Sequence, residues 1–242
     1  MQVIVIIPAA GLGTRMAAAP GAKEKKTTPS KQFTELGGTP ILVHTLRKFA
    51  VLSQINEIYI ALRKSEISDF GARLEKEYKD LPHKKIRMVE GGEHRQQSVA
   101  NALAAIKAGP DDIILVHDAV RPFVTREIIE SVIMAAEKYG AAIAGLPAVD
   151  TVKQVERTAE AAVITATVPR ERVVMAQTPQ GFRYRVIKKA FDEAAEDGFL
   201  GTDEASLVER SRHEVVVVMG SPRNIKITTP GDMELAEFYL RK

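Results

Sequence analysis

The stretch Val3-Ile4-Val5-Ile6-Ile7-Pro8-Ala9-Ala10-Gly11-Leu12-Gly13-Thr14-Arg15 joins an unbroken β-branched run to a run of small residues. An unbroken apolar run, in place of an alternating one, predicts a strand buried on both faces, as in a parallel sheet. The small residues follow at the strand's carboxyl end, where open α/β sheets bind ligands and where glycine lets backbone N–H groups approach a phosphate. A dinucleotide fingerprint would need a third glycine at Met16, and a P-loop a closing glycine-lysine pair; neither is present. Taken alone, Gly11 and Gly13 serve a tight strand-to-helix turn equally well.

Outward from this stretch, strands are predicted at Ile55 to Leu62, Ile86 to Val89, Ile113 to Val116 and Ala141 to Leu146. Between them lie helical spacings: Ile41, Leu42, Thr45, Leu46 and Phe49, then Val99, Ala102, Leu103 and Ile106. A further helix covers Thr125 to Tyr139, with Thr125 as N-cap and Gly140 beyond the last turn. The result is βαβαβαβαβ, a Rossmann-like three-layer α/β domain with a mostly parallel sheet, expected to span 1–242 as one domain. Asp150 to Pro169 departs from this rhythm. It alternates polar and apolar residues around a break at Thr158 to Ala161, which predicts a protruding β-hairpin. A lone hairpin is marginal in water, so 150–170 is expected to be a dimerisation arm covered by a second subunit. Beyond it are predicted a strand near Val173 to Ala176, helices from Tyr184 and Asp203, strands at Val215 to Met219 and Ile225 to Ile227, and a last helix from Pro230. Residues 17–30, rich in alanine, lysine, threonine and proline, predict a mobile loop.

Composition narrows the function classes. The chain has 242 residues with 45% hydrophobic content, 34 basic against 31 acidic residues, no cysteine and no tryptophan. A net charge of only +3 argues against a nucleic-acid partner, and 5% aromatic content argues against base-stacking platforms. Without cysteine there is neither a disulfide framework nor a thiolate metal site. The Val3 to Ile7 run is too short for a signal peptide or a membrane span, so a cytoplasmic enzyme of small phosphorylated substrates is expected.

Three segments carry the chemistry. Arg15, with Lys31-Gln32-Phe33 beyond the loop, adds two cations to the first glycine stretch and points to a triphosphate. Gly91-Gly92-Glu93-His94-Arg95-Gln96-Gln97-Ser98 follows another strand, opens a helix and reaches the same sheet edge. His94 has no second histidine at metal-ligand spacing and reads as a locally bonded side chain. His117-Asp118-Ala119-Val120-Arg121 ends a third strand. Asp118 is the candidate for magnesium or substrate hydroxyls and Arg121 for acceptor groups, the rival being a structural Asp118–Arg121 pair. Thr178, Thr202 and Lys226 add groups suited to phosphate, although Thr202 reads equally as a helix cap.

Taken together, PAAGLGTRM, SKQF, GGEHRQQSV, LVHDAVRP, DTVK, TPQ, TDEAS and NIKIT resemble, in order, the motifs of the 2-C-methyl-D-erythritol 4-phosphate cytidylyltransferases. Ribitol-5-phosphate cytidylyltransferases share much of the pattern, and a noncatalytic nucleotide sensor is a further alternative. The resemblance implies CTP contacts at Ala9, Ala10, Gly11, Gly13, Gly92, Glu93, Ser98, Asp118 and Ala119. It implies catalytic roles for Arg15, Lys31, Arg170 and Lys226. Acceptor contacts fall on Asp118, Arg121, Thr151, Arg170, Thr178, Thr202 and Lys226, with Arg170 reaching the neighbouring site of a homodimer through swapped arms. The sugar-alcohol phosphate is the acceptor and Mg²⁺ the cofactor, held mainly by CTP phosphates. Two features depart from the family pattern: the loop before Lys31 is longer, and Glu93 stands where aspartate is usual.

Overall fold

The structure is a computed structural model that describes residues 1–11 and 30–241; Gly13, Arg15 and the 17–29 part of the expected loop lie outside the described residues. The elements are β1 (Val3–Pro8), β2 (Glu35–Leu36), β3 (Thr39–Pro40), α1 (Ile41–Ala50), β4 (Glu57–Leu62), α2 (Lys64–Glu77), β5 (Ile86–Glu90), α3 (Arg95–Ala105), β6 (Ile113–Val116), α4 (Arg126–Tyr139) and β7 (Ala141–Pro147). There follow β8 (Val152–Arg157), β9 (Ala162–Val168), β10 (Val174–Arg183), α5 (Tyr184–Glu196), α6 (Glu204–Arg210), β11 (Val216–Met219) and α7 (Pro230–Leu240).

Seven strands form the central sheet in the order β11-β7-β10-β6-β1-β4-β5. All pairings are parallel except those of β10, which runs antiparallel to both β6 and β7. The period-two geometry of β1 divides its side chains between two cores. Val3, Val5 and Ile7 pack with residues of α1, α2 and α4 on one face, while Ile4 and Ile6 pack with α3, α5 and α6 on the other. This makes the three layers, and it explains why β1 reads as a continuous apolar run. Thr125 caps α4 by accepting the Ile128 amide, and Gly140 ends it at φ 89°, a left-handed conformation that glycine adopts without steric cost.

Three expectations are corrected. The strand near Val173 to Ala176 extends through Arg183, because buried Gly181 and Phe182 continue the ladder beyond an irregularity between Ala176 and Gln180. Ile225 to Ile227 is not a strand: among the described residues a single backbone bond, the Ile227 amide donating to the Val120 carbonyl at 3.0 Å, takes the place of a ladder, and the segment is otherwise held by side chains, with Ile227 buried against Ala236 of α7. A small hairpin, β2–β3, also stands before α1, turning at Gly37 and Gly38, both with positive φ as a tight two-residue turn requires. The arm is present as the β8–β9 hairpin, exposed along nearly its whole length. A register shift leaves Thr165 without an opposite residue and interrupts the expected two-faced alternation.

Candidate active site

The carboxyl ends of β1, β5 and β6 deliver the three motif segments to one edge of the sheet. Ala9, Ala10, Gly11, Lys31, Gly92, Glu93, Ser98, Asp118, Ala119 and Lys226 are brought together around a single cavity. Its first wall is anchored through carbonyls and amides. The Ala9 amide donates to the Ala61 carbonyl at 2.8 Å, the Gln32 side chain donates to the Ala9 carbonyl, and Arg63 Nε donates to the Ala10 carbonyl at 3.0 Å. In the second wall the Gly92 amide donates to Ser98 Oγ at 3.0 Å and the Glu93 amide to Gln97 Oε1 at 2.9 Å. Gly11 differs from Gly91 and Gly92: a Cβ built there meets nothing within 4 Å among the described residues.

A second cavity lies beside the first, lined by Arg121, Thr178, Thr202, Gln177 and Gln180, and it shares Arg95, Asp118 and Lys226 with the first. Asp118 is the hub. Its Oδ1 accepts from Arg95 Nε at 3.2 Å, and its Oδ2 accepts from Arg121 Nε at 3.1 Å and from Lys226 Nζ at 3.0 Å. Arg95 Nη1 also reaches Glu204 Oε1 at 2.6 Å. Three cations against two carboxylates leave one positive charge on the wall between the cavities, which suits an anionic ligand.

Burial favours the neutral form of Asp118, but Arg95, Lys226 and Arg121 outweigh it and hold the carboxyl far below the usual carboxylate range. Burial likewise opposes the Arg95 charge, and Glu204 and Asp118 reverse that and raise its pKa. His117, wholly buried, is pushed down to about 4 by burial and stays neutral. The Thr178 hydroxyl accepts the Asp118 amide at 3.0 Å and donates to His117 Nδ1 at 3.1 Å, so His117 Nε2 donates to the Arg121 carbonyl at 3.1 Å.

The rival Asp118–Arg121 pair therefore exists, but as one arm of a larger ion-pair network. Thr202 is not the cap of α6: Asp203 is, in a reciprocal capping box with Ser206, and Thr202 is exposed at the second cavity. Lys226 is half-exposed and paired with Asp118, outside any strand. Thr151 and Arg170 line neither cavity of their own chain. Both are exposed at the base of the arm, where Arg170 Nη1 donates to the Val149 carbonyl at 2.8 Å. Sequence reading assigns no role to Gln32, Arg95, Gln180 or Glu204. For Glu204 a signal exists: with Leu207 and Val208 it forms an i, i+3, i+4 stripe, placing a carboxylate on the buried face of α6.

The described residues contain no group of three or more metal-ligating side chains, and no helix among them is long and apolar enough to cross a membrane. Comparison with known proteins agrees with the motifs. The chain is 56% identical to the 2-C-methyl-D-erythritol 4-phosphate cytidylyltransferase of Acidobacterium capsulatum, over all of this chain and 98% of that one. It is 52% identical to the protein of that name from Solibacter usitatus, over all of this chain and 97% of the relative. Among solved structures, the enzyme of that name from Thermus thermophilus superposes with a TM-score of 0.77 at 34% identity, with both chains fully covered. The 4-diphosphocytidyl-2C-methyl-D-erythritol synthase of Anaerococcus prevotii reaches 0.81 at 29% identity, covering all of this chain and 96% of that one. The family model for 2-C-methyl-D-erythritol 4-phosphate cytidylyltransferase (IspD) matches residues 3–242, and with the motifs in order on one sheet edge, the chain belongs to that family.

Proposed function

We propose that the two adjoining cavities divide the two substrates of the family's reaction between them. That reaction transfers CMP from CTP to 2-C-methyl-D-erythritol 4-phosphate, forming the CDP-methylerythritol product and pyrophosphate in isoprenoid precursor synthesis. The observation that supports the assignment is the shared wall: Arg95, Asp118 and Lys226 line both cavities, so an acceptor phosphate in one would stand beside the α-phosphate of a nucleotide in the other. CTP takes the cavity of Ala9, Ala10, Gly11, Lys31, Gly92, Glu93, Ser98 and Ala119. The acceptor takes the cavity of Arg121, Thr178, Thr202 and Lys226.

An acceptor phosphate oxygen attacks the α-phosphorus. That P–O bond forms as the bond to the bridging oxygen breaks, and pyrophosphate leaves with the electron pair. A phosphate is already anionic near neutral pH, so the reaction needs no general base. Asp118, locked in three ion pairs, and His117, wholly buried with both ring nitrogens hydrogen-bonded, are unsuited to be one. The protein's task is to oppose the repulsion of two anions and align them, through Lys31 and Arg15 on the nucleotide side and Lys226 and Arg121 on the acceptor side. Both oxygens of Asp118 are engaged by cations, so the described residues do not form a magnesium site by themselves. Mg²⁺ would arrive with the triphosphate and would supply neutralisation of its phosphate charge.

Thr151 and Arg170 are read as serving the neighbouring acceptor site. Support comes from their position outside both cavities of their own chain and from exposed Val155 and Ile164, which stand opposite each other on the arm hairpin as an apolar pair that a second copy would cover. Pyrophosphate release across a matrix of nucleotides and alditol phosphates tests the whole reading. CTP with 2-C-methyl-D-erythritol 4-phosphate is the expected pair. Preference for ribitol 5-phosphate would replace the acceptor, and binding without release would leave a nucleotide sensor.

A further inference from the structure

Glu204 is the first residue of α6, and its side chain is buried to 1% exposure. Oε1 receives Arg95 Nη1 at 2.6 Å, whereas Oε2 is buried and has no hydrogen-bond partner among the described residues. Burial pushes this carboxyl's pKa up even with the Arg95 charge beside it. A buried carboxylate with one unpartnered oxygen is weak evidence of net stabilisation, because well-packed apolar residues in place of the Arg95–Glu204 pair would serve stability as well. Its presence calls for a task that a neutral residue performs less well.

The geometry supplies that task. Arg95 begins α3 in the nucleotide-side segment, and its guanidinium is held at two ends, Nε on Asp118 and Nη1 on Glu204. A planar fork gripped at one end pivots; gripped at both, it is fixed. Asp118 in turn holds Arg121 and Lys226. The start of α6 is itself pinned to β10, since Gln180 Nε2 donates to Asp203 Oδ2 at 2.7 Å and Gln180 Oε1 accepts the Ala205 amide at 3.0 Å. The neighbouring Gln96 ties α3 to the same region, donating to the Phe199 carbonyl and accepting the Gly201 amide, each at 2.9 Å.

We infer that Glu204 is a positioning residue for acceptor use, acting through Arg95 on the Asp118 carboxylate that aligns Arg121 and Lys226. The inference rests on reading Arg121, Thr178 and Lys226 as the acceptor site. The test is steady-state kinetics of Glu204→Gln with both substrates varied, alongside thermal unfolding. The expected result is an acceptor KM raised about tenfold or more, as for loss of one charge-assisted contact, with the CTP KM within about twofold and a lowered melting temperature, since Arg95 loses one of its two counter-charges. In an Arg95→Met background the same Glu204→Gln change should add little, because the path it acts through is gone. Glu204→Asp, which keeps the charge and shortens the reach, should also raise the acceptor KM and covers the case in which Glu204→Gln does not fold. A purely structural role would appear as lowered stability with both KM values unchanged, and that outcome overturns the inference. Arg121→Lys and Thr178→Val separate the two layers. If neither moves the acceptor KM, the acceptor-site reading fails; if they do and folded Glu204 variants do not, only the positioning role fails.

Discussion

Gly91 and Ala10 touch across the two nucleotide-side loops: a Cβ built on Gly91 would stand 2.5 Å from the Ala10 Cβ and 3.0 Å from Ser98 Oγ. The Gly91 amide donates to the Leu62 carbonyl at 2.7 Å, so the backbone there cannot easily retreat. Gly91→Ala should therefore push the two walls of the cavity apart, raising the CTP KM and lowering stability by about 1–3 kcal/mol, the usual cost of overpacking. Gly11→Ala should act differently. Its Cβ meets nothing within 4 Å among the described residues, so melting should change less than in Gly91→Ala while CTP binding weakens. Equal stability losses in the two variants, measured by urea unfolding, would contradict this contrast.

Lys31 lines the nucleotide cavity beside Gln32, which holds the Ala9 carbonyl. Lys31→Ala is expected to lower turnover by about 10²- to 10³-fold, typical of losing one preorganised group aimed at charge that grows in the transition state. Pyrophosphate release at saturating CTP and acceptor measures it. Near wild-type turnover would remove Lys31 from the mechanism.

Acid sensitivity should trace partly to His117. Its folded pKa, about 4, lies below the 6.5 of the unfolded chain, because burial disfavours the cation. Between these values the unfolded state binds more protons, so the contribution is fully present above pH 6.5 and is lost as pH falls toward 4. The difference corresponds to about 3 kcal/mol. Urea unfolding from pH 7 to 4 should show this slope in the wild type and a shallower one in His117→Gln. Parallel curves would assign the acid loss to other groups.

The arm reading predicts intersubunit complementation. Arg170→Ala and Lys31→Ala should each be inactive alone. In a heterodimer of the two, shared sites place both defects in one site and neither in the other, so activity returns. Native mass spectrometry establishes that heterodimers have formed; if they have and remain inactive, Arg170 serves its own subunit.

How far the sequence reaches depends on whether a residue's task is local. The strands of the parallel core, the Thr125 cap and the Gly140 stop follow from side-chain branching, cap chemistry and backbone freedom within a few residues, and each stands where its pattern puts it. The cavity-lining members of the glycine segments are legible for the same reason. The ion-pair network is legible only in its local arm, Asp118 with Arg121 three residues on. Arg95 and Glu204 are 109 residues apart, and nothing local to either indicates that the crossovers set one against the other. The length of β10 is hidden because Thr178 and Pro179 interrupt a strand pattern whose continuity comes from its two neighbours.

That interruption has a mechanical meaning. The first part of β10 carries exposed Val174 and Met175 up from the arm, and its last part is buried between β6 and β7. Between them, residues 177–179 leave the ladder and are held by side chains: Gln177 by Ser221, the Thr178 carbonyl by Asn224, the Thr178 hydroxyl by His117. Fraying that begins at the arm would meet a change of fastening at Ala176. Amide exchange should be fast up to Ala176 and slow from Gln180 onward, letting the arm breathe while the wall beside Asp118 stays still.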